Sequence, residues 1–150
     1  MKRTCIVAVV LGASLLGPAA YGQEPAGLVK TLQGTATAQR EGKAVPLAVG
    51  DRVLAGDRIS TGPSSFAGIT LKDDTLISSG PNSSLVLDRF NFEPRTHSGN
   101  MLISISRGVT SFVTGLLARS NSQQVAFRTQ TATIGIRGTE FIVEVEGDAQ

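Results

Sequence analysis

The chain has 150 residues, with 14 basic and 12 acidic side chains, one cysteine, one histidine, one tyrosine and no tryptophan. One cysteine excludes a disulfide framework and a cysteine-based metal site. The near absence of Trp and Tyr argues against an aromatic platform for sugars.

Residues 1–22 read as a secretory signal peptide. Lys2 and Arg3 supply the basic start, Ile6 to Leu16 is apolar apart from Gly12, Ala13 and Ser14, and Ala20 and Gly22 are the small residues before a cleavage site. The apolar run falls short of the roughly 20 residues needed to cross a bilayer. Cleavage after Gly22 is expected, leaving residues 23–150 with no membrane span. Cys5 leaves with the leader and sits too early to carry a lipid. Loss of Lys2 and Arg3 brings the basic count level with the 12 acids, which removes the electrostatic case for a nucleic-acid partner. Export without disulfides suits a bacterial periplasm, with secretion as the alternative. The remaining length suits one domain.

In chain order, the first distinctive feature is a local repeat: Gly50-Asp51-Arg52-Val53 recurs as Gly56-Asp57-Arg58-Ile59. It predicts two successive tight corners, each with glycine at positive φ and aspartate accepting from nearby backbone N–H groups. A cation site built from Asp51, Asp57, Asp73 and Asp74 is the sharper alternative, but the D-x-D-x-D-G calcium pattern is missing. No metal or cofactor is expected.

Side-chain alternation of period two then takes over. Ala67, Ile69 and Leu71 oppose Phe66, Gly68 and Thr70; Leu85 and Leu87 follow; Met101, Ile103 and Ile105 oppose Leu102, Ser104 and Ser106. Val109, Ser111 and Val113 alternate with Thr110 and Phe112, then come Val125, Phe127 and Thr129, and lastly Phe141, Val143 and Val145. These short runs of Val, Ile, Thr and Phe are strand signals. Turn clusters such as "TGPSS", "SSGPNSS" and "NFEPRTHSGN" separate them. A short helix near Leu116 is conceivable, but the β-branched content of its surroundings predicts strand followed by loop. The expected fold is all-β: one domain, core about 27–146, of short, mostly antiparallel strands wrapped as a sandwich or roll, a stacked solenoid-like roll being the alternative.

Catalytic constellations are hard to find. His97, the sole histidine, lies in the most turn-rich stretch, so it reads as an exposed loop residue. No G-x-S-x-G elbow or H-E-x-x-H motif is present. The chain is not expected to be an enzyme.

The sequence "TATIGIRGTEFIVEV" sets Gly135, Ile136, Arg137 and Gly138 between two strand-like runs. Glycines there predict a bulge, a sharp bend or a close backbone approach. Thr139 is placed to close the corner through its hydroxyl. Arg137 is read as a staple whose five donors clamp a neighbouring turn, with a surface contact to a partner's carboxylate as the other reading.

Together, "GDRVLAGDRISTGPSSFAGITLKDDTLISSGPNSSLVL", "LISISRGVTSFVTG" and "FRTQTATIGIRGTEFIVEV" resemble the FecR domain family over roughly residues 27–146. Gly56, Asp57, Thr61, Gly62, Asp74, Pro81, Asn82, Ser83, Gly135, Arg137, Gly138 and Thr139 fill the places of that family's motif. The resemblance implies a periplasmic module. Full-length members of the family are inner-membrane sensors of iron uptake. Their periplasmic part hears a siderophore-loaded outer-membrane transporter, and their cytoplasmic part controls a sigma factor. This chain resembles only the periplasmic part, so direct sigma-factor control is not expected of it. The expected function is an exported, non-catalytic interaction or signalling module of the envelope. Its partner would be an outer-membrane transporter or an inner-membrane sensor. A structural scaffold of an envelope assembly is the alternative.

The last run, Phe141, Ile142, Val143, Glu144 and Val145, is a candidate edge strand. At a sheet margin its free backbone groups would accept a partner's strand. Alternatively, Glu144, Glu146 and Asp148 act as charges that blunt the edge.

Overall fold

A computed structural model of the chain describes residues 22–136 and 138–147. The expected leader (Gly22 apart), Arg137 and Asp148 lie outside them. Apolar and polar residues alternate along the strands, and the apolar set turns inward. The strands are β1 (Pro25–Gln33), β2 (Ala36–Arg40), β3 (Lys43–Pro46), β4 (Arg52–Leu54), β5 (Arg58–Thr61), β6 (Phe66–Leu71), β7 (Leu76–Ser79), β8 (Ser84–Glu93) and β9 (Ser98–Val113). A short helix, α1 (Leu116–Ser120), and a single 3-10 turn (Ser122–Gln124) lead to β10 (Val125–Arg128), β11 (Thr133–Gly135) and β12 (Glu140–Val145).

The fold is all-β, a single domain whose strands form one curled sheet closing into a half-barrel. The long β9 is the spine of both walls. Its first half pairs with β8 and, in parallel, with β10; its second half pairs with β7 and β12. One wall therefore runs β3-β2-β5-β8-β9-β10-β11 and the other β4-β1-β6-β7-β9-β12. The strand changes walls at Gly108, whose φ of +88° suits glycine and whose missing side chain leaves room for Ser83.

Ile59, Ile69, Ile77, Leu85, Leu87, Ile103, Ile105, Phe112 and Phe127 fill the interior and are essentially inaccessible. Full burial of such a side chain contributes about 1.5–3 kcal/mol. Where the walls meet, Phe112 and Phe141 from one side pack against Phe127 from the other, with ring centroids 4.6–5.3 Å apart. These aromatic contacts fix the seam.

Three features differ from the expectation. The strand-then-loop reading around Leu116 gives way to helix α1, because Asp73 supplies acceptors for it. The Leu116 N–H donates to the Asp73 carbonyl at 2.7 Å and the Leu117 N–H to its carboxylate at 3.4 Å. The turn cluster at 91–100 contracts to residues 94–97, since β8 runs on to Glu93 and β9 begins at Ser98. Cross-strand pairing, including Asn91 to Asn100 at 2.8 Å, overrides the turn-forming composition. Finally, β1, β2 and β3 precede the first run in which alternation is plain.

Candidate protein-interaction site

The motif residues fall at corners, and each corner is held by a short side chain reaching backbone groups. In the repeat, Gly50 and Gly56 adopt φ of +93° and +91°. Asp51 accepts the Ala48 N–H at 2.8 Å and Asp57 the Leu54 N–H at 2.9 Å, both three residues upstream. The two corners are equivalent in geometry but not in surroundings. Asp51 is exposed, whereas Asp57 is 1% exposed and receives both the Nε and one Nη of Arg40 at 2.9 Å. The hydrogen bonds to Asp57 hold the Arg40 guanidinium above its ordinary value.

Thr61, Gly62, Pro81, Asn82 and Ser83 come together at a second set of corners. Thr61 Oγ1 donates to the Gly80 carbonyl at 2.6 Å and accepts the Ser83 N–H at 3.0 Å, while the Gly62 carbonyl accepts the Asn82 N–H at 3.1 Å. Ser83 Oγ donates to the Val109 carbonyl and accepts the Val109 N–H. Asn82 takes φ of +51° and Asp74 φ of +66°, both tight-turn geometries. These groups join β5, the loop before β8 and β9.

Sequence reasoning weighed Asp73 only as a member of a cation site and missed its structural role; it is fully buried. Its carboxylate accepts the Thr75 N–H at 3.1 Å and the Thr75 hydroxyl at 2.8 Å besides Leu117 N–H. The neighbouring Asp74, the motif residue, is exposed. The one available signal was the pattern Asp-x-Thr, in which a carboxylate folds back on the N–H two residues on. Asp57 and Asp73 thus serve separate corners. Among the described residues no group of three or more His, Cys, Asp and Glu side chains could share a metal ion. His97 is exposed and stacks beside Phe92 with centroids 6.3 Å apart.

The Gly135–Gly138 segment carries the chain from the margin of one wall, β11, to the margin of the other, β12. Gly138 has φ of +130°, which explains its identity, whereas a Cβ at either glycine would meet nothing within 4 Å among the described residues. Close backbone approach is therefore not the reason for these glycines. The hydroxyl at this corner belongs to Thr114: its N–H donates to the Thr139 carbonyl at 2.7 Å and its Oγ1 lies 3.3 Å from the same oxygen. Thr139 itself is exposed.

Beyond the corner, Phe141, Val143 and Val145 of β12 turn inward while Ile142 and Glu144 face out. β12 pairs only with β9 among the described residues. The other marginal strands are three or four residues long, and β3 ends in Pro46; β12 has six residues, no proline and an unbroken register.

The FecR protein family model matches residues 57–150, a span that opens on Asp57 and takes in every later corner and β12. The chain belongs to the FecR family. No curated protein and no solved structure matches it. FecR proteins are regulatory or sensor-type modules, typically periplasmic or membrane-associated, and are not known as enzymes. Among the described residues no helix is long and apolar enough to cross a membrane. In this FecR chain the motif residues with described side chains build corners, and β12 is the longest of the marginal strands among the described residues.

Proposed function

We propose that this FecR chain is exported, with residues 1–22 as its leader, and that residues 23–150 act in the bacterial envelope as a non-catalytic sensing module. It recognises another envelope protein, an outer-membrane transporter or an inner-membrane sensor, by accepting a strand along β12. The observation that carries this reading is the single-sided pairing of β12. Its free N–H and C=O groups offer a ladder to an extended segment, and the outward side chains of Glu140, Ile142 and Glu144 favour a basic and apolar strand. The acidic side chains point along the sheet normal, as does Ile142, so they select the partner's charge rather than block the ladder.

The test is photo-crosslinking in cells from position 144 of the full chain, with mass spectrometry of the product. A single envelope protein should be captured, and proline placed at the β12 positions whose N–H points away from β9 should abolish capture without unfolding the domain. Unchanged capture from those proline variants would sink strand addition. An intact mass beginning at Gln23 in the periplasmic fraction checks the leader.

A further inference from the structure

Exposed apolar side chains are unevenly distributed. Of the seven large ones among the described residues, Leu28, Phe66, Leu76, Val109 and Ile142 stand on the outer face of the β4-β1-β6-β7-β9-β12 wall. Register arranges that face in rows. One row runs Glu140–Val113–Leu76–Thr70–Leu28–Arg52, every neighbouring pair being register partners. It begins with an acid on β12, ends with a base on β4 and is largely apolar between them. The next row runs Ile142–Ser111–Ser78–Gly68–Thr31. Ile142, 69% exposed, protrudes at one end, and the small residues after it floor a shallow depression of about 400 Å³.

The first row is antisymmetric in charge: the acid at one end meets its complement, the base, at the other. A two-fold axis parallel to the strands turns a second copy face to face and reverses every row over itself. Glu140 of each copy then meets Arg52 of the other, twice, while Val113 meets Leu28 and Leu76 meets Thr70. Self-complementarity under a two-fold is what an isologous interface requires, and a foreign partner would have no need of it. We propose that this face is the surface on which two copies of the chain associate, sheet on sheet in the aligned packing common to β-sandwiches.

Size fixes the strength expected. Six strands span about 24 Å and the two rows lie about 7 Å apart along them, a footprint below that of standard specific interfaces, so the dimer is weak, in the micromolar range or above. The charged ends set register more than affinity, being exposed. The β12 backbone lies in the plane of the sheet and stays open in this dimer; Glu140 serves both readings, so self-association tests the dimer and the β12 proline variants test strand addition.

Sedimentation velocity of the protein produced from its full coding sequence, from low-micromolar to millimolar concentration, tests it. A concentration-dependent monomer–dimer equilibrium is expected. Glu140→Arg alone places like charges at both ends, and so does Arg52→Glu; each should weaken association about tenfold. Mixing the two variants restores both opposite-charge contacts and should recover the original affinity in a heterodimer. Leu76→Ser, at an exposed position in the middle of the row, should also weaken it. A monomer at every concentration would overturn the proposal. So would an association that survives the single charge reversals, or one that the mixture fails to recover.

Discussion

Arg40 grips Asp57 with two parallel hydrogen bonds, Nε to Oδ1 and Nη to Oδ2, both 2.9 Å, and sets the same guanidinium on the carbonyl of Arg52. One side chain thus ties β2 to both corners of the Gly-Asp repeat. Asp57 is inaccessible and its remaining acceptor capacity is used by the Leu54 N–H. Asp51 makes the equivalent backbone bond in the open. Removing a partner from a buried charged pair leaves the other uncompensated, whereas an exposed turn aspartate costs little. Asp57→Asn is therefore expected to destabilise the domain by about 2–4 kcal/mol and Asp51→Asn by about 1 kcal/mol or less. Urea midpoints of the two variants, at unchanged slope, check the difference.

The repeat shows how far a sequence reveals its fold. Glycine-aspartate pairs six apart announce two tight corners because the turn chemistry is local. Nothing local in Asp57 announces Arg40, which is 17 residues away, so this charge staple is not legible in the sequence. Alternation from Phe66 onward was legible because one face of each strand is buried. Helix α1 was not, because its acceptors come from Asp73, more than 40 residues upstream. The strand 139–145 was recognisable as β from its alternation, but its single-sided pairing depends on the whole strand order.

Asp73 and Asp74 are adjacent, and only one holds structure. The Asp73 carboxylate joins the β6–β7 corner to the start of α1 through Thr75 and Leu117. Asp73→Ala should cost about 2–4 kcal/mol and release amide protection at Leu116 and Leu117. Asp74 sits exposed at positive φ, so Asp74→Gly should be neutral or slightly stabilising. Hydrogen exchange at α1 separates the two cases: fast exchange in the Asp74 variant would contradict this division of roles.

At the crossover between walls the two glycines are not equivalent. Gly138 needs its positive φ and Gly135 does not, and neither is crowded. Gly138→Ala should lose about 1–2 kcal/mol, while Gly135→Ala should leave stability unchanged or raise it by about 0.5 kcal/mol. Equal losses in thermal denaturation would mean that both glycines serve a close approach.

Lys72 donates to Glu24 and holds the Glu24 carboxyl below its usual 4.5, chiefly through that hydrogen bond and then through charge. A carboxyl lowered on folding binds fewer protons in the native state, so the pair stabilises above pH 4.5 and is lost as pH falls through the folded value. The pair is exposed, so the effect is local and screened by salt. NMR titration of the Glu24 carboxyl should show a midpoint that returns to the usual range in Lys72→Met or at high salt. Arg40 behaves oppositely: raised on folding by its hydrogen bonds to Asp57, its contribution is complete below the ordinary arginine range and is lost only as pH rises through the folded value, so the Asp57 staple is indifferent to mild alkali.

Ser79 and Thr110 face each other as register partners on β7 and β9, both hydroxyls buried and neither with a hydrogen-bond partner among the described residues. Each buried hydroxyl left in this way forfeits about 1–3 kcal/mol of desolvation, while an apolar group of the same shape forfeits none. Thr110→Val preserves volume and branching, and Ser79→Ala shortens a side chain that packs against it. The double variant should therefore gain about 1 kcal/mol or more, against the usual run of core substitutions, which lose stability. Because the two sites touch, the gain should exceed what either single change gives, and a double-mutant cycle by urea denaturation reads that excess directly. A loss of similar size would mean that the hydroxyls are bonded to each other in solution, and that this pair helps to hold the second half of β9 in register with β7.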